Sequence, residues 1–200
     1  MEAFANVGYE GAGTRELAER AGANLSAIRY HFGDKKGLYR AVIQHISEGL
    51  LERISPFIAE VRSREEKANV SQEELIEALC YLVTRFTFHL LGSGVVDNWA
   101  RLIIHEQINP TETFPILHGA LRHLLDAAAQ VIAKITGEKP QSETVRVCAM
   151  TIVGQALVFR THRGTALKFI GWKTLGQHEI SALQTIVSNQ CRAIMTIRSE

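Results

Sequence analysis

The stretch that decides the fold is residues 14–32, TRELAERAGANLSAIRYHF. Its first half favours a short helix, and Thr14 stands where a hydroxyl group would cap that helix. Gly22 follows at the position where a left-handed residue commonly ends a helix. Asn24 stands where a side chain would cap a second helix over residues 25–32. Two short helices joined by a glycine-bearing turn indicate a helix-turn-helix.

The second of these helices has one apolar side and one polar side. Ile28 and Phe32 are four residues apart, so we expect them to share a buried face. The residues off this face are Leu25, Ser26, Arg29 and Tyr30. Exposed arginine and serine side chains suit the major groove of DNA, where arginine pairs with guanine. The side chains predicted to contact phosphates, and so to fix the register on DNA, are Thr14, Tyr30, His31 and Lys35.

Each of these assignments has a plainer alternative. Arg29 and Lys35 are also the kind of residue that simply faces solvent, and His31 is placed to pack against the following helix. Leu25 either contacts a thymine methyl group or shields the turn. We therefore treat the DNA-binding set as a hypothesis about one face of a short helix.

The pattern continues as helix on both sides of the motif. Residues 1–7 predict a short first helix with Phe4 and Val7 on one face. Asp34 predicts the cap of a long helix over residues 35–56, which Pro56 kinks or ends.

The remainder of the chain carries longer helical patterns. After a charged linker over residues 62–70, Ser71 and Glu74 have the spacing of a capping box. The further helices are predicted over residues 72–91, 95–108, 111–136, 142–163 and 177–197. Because hairpin-turn signals for strands are missing from the sequence, we predict an all-α fold. Its parts are a three-helix DNA-binding head, residues 1–45, and a larger C-terminal helical domain, residues 46–200.

Composition limits the function classes. The chain has 200 residues, 46% of them hydrophobic and 22% charged, with a net charge of +1. Residues 1–45 hold six Lys and Arg against five Asp and Glu, so charge alone does not indicate a nucleic-acid partner. No signal peptide or membrane span is evident, which predicts a cytoplasmic protein. Three widely spaced cysteines, Cys80, Cys148 and Cys191, predict buried reduced thiols, and we expect no metal or cofactor.

Three runs of sequence carry a resemblance to a known family. These runs are Phe4–Tyr9 (FANVGY), Thr14–Gly22 (TRELAERAG) and Ile28–Tyr39 (IRYHFGDKKGLY). Together they resemble the head of TetR-family regulators almost position by position. The resemblance implies an all-α homodimer that binds DNA and has a small-molecule pocket in each C-terminal body. It also implies that effector binding releases the DNA, which is the behaviour of a repressor.

The C-terminal body resembles the CecR-like branch of that family more loosely. The residues that carry this likeness are Arg101–Thr111 (RLIIHEQINPT) and Ile152–Arg160 (IVGQALVFR). One departure concerns Met1, which stands only three residues before Phe4, whereas family members carry a longer first helix. We therefore expect residues upstream of Met1 to be missing, or the head to be unusually loose.

Polar and aromatic residues on the apolar helices of the body are candidates for an effector pocket. The predicted set is Phe86, His89, Trp99, Arg101, His105, His118, Arg122, Gln155 and Phe159. The alternative for each is an ordinary core or surface role. We expect the effector to be a small molecule of unknown identity.

The helices over residues 142–163 and 177–197 are predicted to form the homodimer interface. The apolar stripe expected to make it comprises Val145, Cys148, Ala149, Ile152, Ala156, Ile180, Leu183, Ile186, Val187, Cys191 and Ile194. The alternative is that this stripe packs within its own subunit. Two heads one helical turn of DNA apart, or slightly more, would read a near-palindromic double-stranded operator.

An enzyme is the main rival class, and the sequence argues against it. His105-Glu106 begins like a zinc-protease HExxH motif, but the second histidine is missing. The other alternative is a helical protein that senses a small molecule or a partner without binding DNA tightly. The sequence therefore predicts a ligand-responsive transcriptional regulator with no enzymatic activity.

Overall fold

The computed structural model describes residues 1–92 and 96–198, and every regular element within them is helical, as predicted. The predicted start of one helix at residue 95 lies outside the described residues. The helices are α1 Glu2–Gly11, α2 Thr14–Arg20, α3 Leu25–Phe32, α4 Lys35–Glu65, α5 Gln72–Leu91, α6 Val96–Ile108, α7 Phe114–Thr136, α8 Glu143–Gly154, α9 Val158–Thr161, α10 Arg163–Ile170 and α11 Gln177–Arg198.

The chain forms two compact units. The first unit comprises Met1–Leu51 and Gly94–Ala120, and the second comprises Glu52–Ser93 and Leu121–Glu200. The first unit thus includes α6, which the sequence assigned to the C-terminal body. It does so because α6 packs along α1. The functional division at residue 45 stays a prediction.

Helix α1 is shaped by its contact with α6. Phe4 is buried, whereas Val7, three residues later, is 49% exposed. The helix is kinked at Gly8, whose φ of 71° takes the chain out of the helical path. A Cβ at Gly8 would lie 3.3 Å from Nδ1 of His105, so the kink also admits the histidine ring of α6.

The helix-turn-helix is present as α2 and α3, with two corrections. Gly13, not Thr14, holds the N-cap position of α2, and Thr14 is the first helical residue. Asn24 caps α3 as predicted, accepting a 2.8 Å hydrogen bond from the amide of Ala27. Phe32 was expected inside but is 41% exposed, because it is the last residue of α3 and the chain leaves the helix at Gly33.

Helix α4 continues nine residues beyond the predicted end. Pro56 lies inside it, and the segment to Glu65, predicted partly as a linker, is helical. Proline removes one backbone hydrogen bond. The residues after it compensate for this loss, because Phe57, Ile58 and Val61 are all buried.

The second unit is built around the pairing of α5 with α11. The predicted capping box at the start of α5 is confirmed: Ser71 and Glu74 each accept a hydrogen bond from the other's backbone amide. The predicted single helix over residues 142–163 is wrong, because α8 ends at Gly154 and two short helices follow. Among the described residues, no helix is long and apolar enough to cross a membrane.

Candidate nucleic-acid interface

Helix α3 presents a polar and aromatic face to solvent. Ile28 is its buried anchor, with 7% of its surface exposed. Tyr30 is 85% exposed and Leu25 is 39% exposed. The other exposed members of the predicted DNA-binding set on this helix are Ser26, Arg29 and His31. The structure therefore places all five α3 candidates on its accessible side, with the rings of Tyr30 and His31 in edge-to-face contact.

The turn that joins α3 to α4 is closed tightly. Asp34 accepts a 2.8 Å hydrogen bond from the amide of Gly37, as its predicted capping role requires. A Cβ at Gly37 would lie only 1.9 Å from the carbonyl oxygen of Phe32. The end of α3 and the start of α4 therefore lie directly against each other.

Lys35 is less free than a phosphate contact requires. Its ammonium lies 4.6 Å from the ring centroid of Tyr9 and donates to the carbonyl of Glu10 at 3.3 Å. These contacts tie the start of α4 to α1. Thr14 is half-buried in the first turn of α2, where free backbone amides favour an anion.

Tyr39 and Glu106 form a buried polar centre that the sequence reasoning missed. The Tyr39 hydroxyl donates a 2.7 Å hydrogen bond to Oε1 of Glu106. Oε2 of Glu106 accepts from the amide and the hydroxyl of Thr111 at 3.3 and 3.2 Å. Burial, and then the bond to Glu106, raises the pKa of Tyr39 well above its ordinary value. One signal was available: Glu106 lies four residues after Leu102, on the buried face of α6.

Four predicted effector residues lie in the first unit. Trp99 is buried against His45, with 5.7 Å between ring centroids, and Arg101 donates to Oδ1 of Asn6 at 3.0 Å. His105 lies beside the kink of α1, and His118 is exposed near the ring of Phe114.

The other five predicted effector residues lie in the second unit. His89 stacks on Phe57 at 5.6 Å between centroids, and burial, followed by Arg85 and Arg53, lowers the pKa of His89. Arg122 is exposed and pairs with Asp126 at 3.0 Å. The three remaining residues are Phe86, which is half-buried, Gln155, whose Oε1 is buried without a partner among the described residues, and Phe159, which packs against Leu91, Ile180 and Leu183.

Two clefts of about 340 Å³ each are open at the surface, one in each unit. The first is lined by Tyr9, Glu10, Lys36, Tyr39, Thr111, Glu112 and Thr113. The second is lined by Glu60, Ser63, Arg64, Lys67, Glu74 and Glu77. Neither cleft contains a predicted effector residue, and their charged walls differ from the apolar lining expected of an effector pocket.

Most of the predicted dimer stripe faces the core of its own subunit. The buried members are Val145, Cys148, Ala149, Ile152, Ala156, Ile180, Leu183, Val187 and Cys191. This correction has a simple cause, since α8 and α11 carry apolar residues on two sides and the core takes one of them. The large apolar residues that stay exposed on α8, α9 and α11 are Val147, Met150, Val158, Ile186 and Ile197.

Comparison with known proteins gives two family matches. Residues 1–42 match the model of bacterial regulatory proteins of the tetR family. Residues 75–196 match the model of the C-terminal domain of the HTH-type transcriptional dual regulator CecR.

Individual relatives agree with these matches. CecR of Shigella flexneri is 28% identical over 192 residues, which are 93% of this chain and 84% of the relative. The HTH-type transcriptional repressor AcnR of Corynebacterium efficiens is 42% identical over 52 residues, 26% of this chain and 28% of the relative. A crystal structure described as a TetR-family regulator from Mesorhizobium loti has a TM-score of 0.59 at 18% identity, covering 98% of this chain and 90% of that one. This last likeness supports the fold.

Proposed function

Because this chain belongs to the TetR family of bacterial regulators and has a CecR-type C-terminal domain, we propose that it binds a near-palindromic operator as a homodimer. It is a DNA-binding transcriptional regulator. The observation that carries the proposal is the exposed face of α3, where Arg29 and Tyr30 project to solvent while Ile28 holds the helix to its unit.

The roles within the interface follow from chemistry and exposure. Arg29 and Ser26 read base edges in the major groove, and Leu25 contacts a thymine methyl group. Tyr30 and His31 contact phosphates, together with Thr14 at the start of α2. Lys35 contributes mainly by tying α4 to α1, because its ammonium already contacts Tyr9 and Glu10.

We propose repression as the regulatory outcome and a small molecule as the signal. The names of the relatives include both a repressor and a dual regulator, so repression is the narrower statement. The effector site that we favour lies in the second unit, which contains the candidates His89, Gln155, Phe159 and Phe86. Two features support it: a buried Oε1 of Gln155 that lacks a partner among the described residues, and a half-buried neutral imidazole. Arg122 is a weaker candidate because Asp126 neutralises it.

Among the first-unit candidates, Trp99, Arg101 and His105 have contacts within their own unit, so a role in effector binding is less well supported for them. His118 is exposed and stays a candidate.

Effector binding releases the operator only if the effector binds the DNA-free conformation more tightly than the DNA-bound one. Helix α4 is the natural carrier of such a difference, since it begins at the recognition turn and continues to Glu65. The protein would act in the cytoplasm, where the chromosome lies. The alternative function is a sensor that has lost tight DNA binding.

The test is specific binding to the duplex immediately upstream of the chain's own gene, measured by fluorescence anisotropy at several salt concentrations. We expect binding that exceeds binding to a shuffled duplex and weakens with salt. Arg29→Ala should weaken the specific complex by about 1–3 kcal/mol and leave the non-specific complex nearly unchanged. Arg62→Ala, an exposed arginine in the second unit, is the matched control. Equal affinity for both duplexes would favour the alternative.

A further inference from the structure

Helices α1, α4 and α6 meet at one side chain, Tyr39. Its ring lies 4.9 Å from the ring of Phe4 and 4.9 Å from the ring of Tyr9, both on α1. Its hydroxyl reaches Glu106 on α6, sixty-seven residues away in the chain. Tyr39 is 2% exposed and Glu106 is 1% exposed, so this bond is made out of contact with water.

The carboxylate of Glu106 extends the contact to the α6–α7 connection. Besides the bond to Tyr39, it accepts two hydrogen bonds from Thr111. The Thr111 hydroxyl in turn lies 2.8 Å from the hydroxyl of Thr113 and accepts from the amide of Thr113 at 3.1 Å. Lys36, one turn before Tyr39, pairs with Glu112 of the same connection at 2.5 Å. The start of α4 is therefore held to residues 106–113 at two points.

A buried carboxylate is a poor choice for stability alone. Well-packed apolar residues in its place are often neutral or more stable, because they avoid the cost of removing a charge from water. A hydrogen-bonded carboxylate does fix geometry, since each oxygen accepts only from donors in particular directions. This argument favours a positioning role for the Tyr39–Glu106 bond.

The position that this bond fixes is that of the recognition helix. Tyr39 follows Gly37 by two residues, and Gly37 is closed against the carbonyl oxygen of Phe32 at the end of α3. A displacement of Tyr39 relative to α6 is therefore a displacement of α3. Within the first unit, α3 and the start of α4 are held to α6 by the packing of α1 and by this bond, so loss of the bond leaves α3 more freedom to move relative to α6.

We propose that Tyr39 and Glu106 are positioning residues for operator recognition, and that their bond narrows the range of half-site spacings to which the dimer binds. This inference rests on the proposed function. Released from Glu106, the head would still carry an intact α3 face, so it would bind each half-site but accept more spacings between them.

The experiment compares the wild type with Tyr39→Phe, which removes only the hydroxyl group. The probes are the operator selected by the wild type from a random duplex library and the same operator with one base pair inserted at its centre. The measured quantity is the affinity for the selected operator divided by the affinity for the lengthened one. We expect Tyr39→Phe to lower this ratio roughly fivefold, the equivalent of one net hydrogen bond. Tyr81→Phe is the matched control, because it removes a tyrosine hydroxyl in the second unit and keeps the ring that faces Arg64.

The ratio separates positioning from general destabilisation. A variant that merely unfolds more often binds both probes more weakly by the same factor, and the ratio stays at the wild-type value. Thr111→Val removes the other hydroxyl that donates to Glu106 and should also lower the ratio. It replaces Tyr39→Phe as the test variant if Tyr39→Phe folds poorly. A wild-type ratio in either folded variant would overturn the inference, whereas failure of the wild type to select any operator would reject the proposed function as well.

Discussion

The carbonyl oxygen of Phe32 occupies the space that a side chain at residue 37 would need. An ideal Cβ on Gly37 would lie 1.9 Å from that oxygen and 3.0 Å from the carbonyl carbon. The same turn is closed from the other side by Asp34, which accepts the amide hydrogen of Gly37. The last residue of the recognition helix and the first turn of α4 thus leave no room between them.

Gly37→Ala should therefore open this turn. Backbone atoms cannot yield as a flexible side chain does, so we expect a loss of about 3 kcal/mol in unfolding free energy, the upper end for overpacking. Specific DNA binding should fall with it, because α3 changes its direction relative to α4. Urea denaturation and anisotropy with the operator duplex measure the two effects.

The matched control is Gly119→Ala, the same substitution in α7 of the same unit. A Cβ at Gly119 meets nothing within 4 Å. Alanine in the interior of a helix is favoured over glycine, so this variant should gain about 0.5–1 kcal/mol. A Gly37→Ala protein as stable as Gly119→Ala would show that the turn is not closed as described.

The capping box of α5 predicts a pH dependence at acid pH. Hydrogen bonds from Ser71, first from its backbone and then from its hydroxyl, lower the pKa of Glu74 below its ordinary value of 4.5. A carboxylate with a lowered pKa stabilises the folded state above the ordinary pKa and loses this effect as the pH falls through the lowered value. The stability difference between wild type and Glu74→Ala should therefore be constant near neutral pH and shrink below pH 4.5.

Glu66→Ala removes an exposed carboxylate outside any helix and controls for the loss of one negative charge. Thermal unfolding of the three proteins across the acid range is the measurement. A difference between wild type and Glu74→Ala that grows on acidification would contradict the capping role.

Sequence reasoning was accurate where the chemistry is local. Asn24, Gly22 and the Ser71 box act on backbone groups within four residues, so their spacing alone identifies them. Thr14 was assigned one position away from the cap because Gly13 is also a permitted cap residue. The DNA-binding face was predictable to the extent that a single buried residue, Ile28, orients so short a helix.

The parts that escaped prediction depend on contacts distant in the chain. The Tyr39–Glu106 bond joins residues that are far apart in the chain, and the sequence around either residue does not identify the other as its partner. The two-sided apolar pattern of α11 did not show which side the core would take, and Ile186 proved exposed where Val187 is buried. A glycine at residue 154 is compatible with a continuous helix, so the sequence did not indicate that α8 ends there.

His89 predicts a second loss of stability on acidification, in this case because the folded state favours the uncharged form of the group. Burial, then Arg85 and Arg53, lowers its pKa, so the folded state prefers the neutral ring. The unfolded chain binds a proton near the ordinary pKa of 6.5, and stability is therefore lost as the pH falls below that value. His89→Phe keeps an aromatic ring against Phe57 and should remove this part of the loss.

The measurement is chemical denaturation of both proteins from about pH 8 to about pH 5, a range that spans the ordinary histidine pKa. At the upper limit the difference between them reflects packing alone, which provides an internal reference. If His89→Phe loses as much stability on acidification as the wild type, the imidazole is not the group responsible.

The exposed apolar residues of α8 and α11 predict the dimer interface. Met150 is 54% exposed and Ile186 is 52% exposed, and together with Val147 they lie on the side of these helices that the subunit core leaves uncovered. Met150→Glu should dissociate the dimer, because a buried unpaired carboxylate costs several kcal/mol in an apolar interface. Light scattering should report the monomer mass, with helical circular dichroism unchanged.

Ile108→Glu introduces the same charge at a different exposed apolar residue, the isoleucine at the end of α6, which is 70% exposed. This control should remain a dimer. Operator binding links the oligomeric state to function, because a monomer engages a single half-site. Met150→Glu should therefore bind an isolated half-site with the affinity of the wild type. It should bind the full operator no more tightly than that half-site. A Met150→Glu dimer that binds the full operator normally would place the interface on another surface of the protein, and the burial of Val145, Ile152 and Leu183 within one subunit would then be the whole role of these two helices.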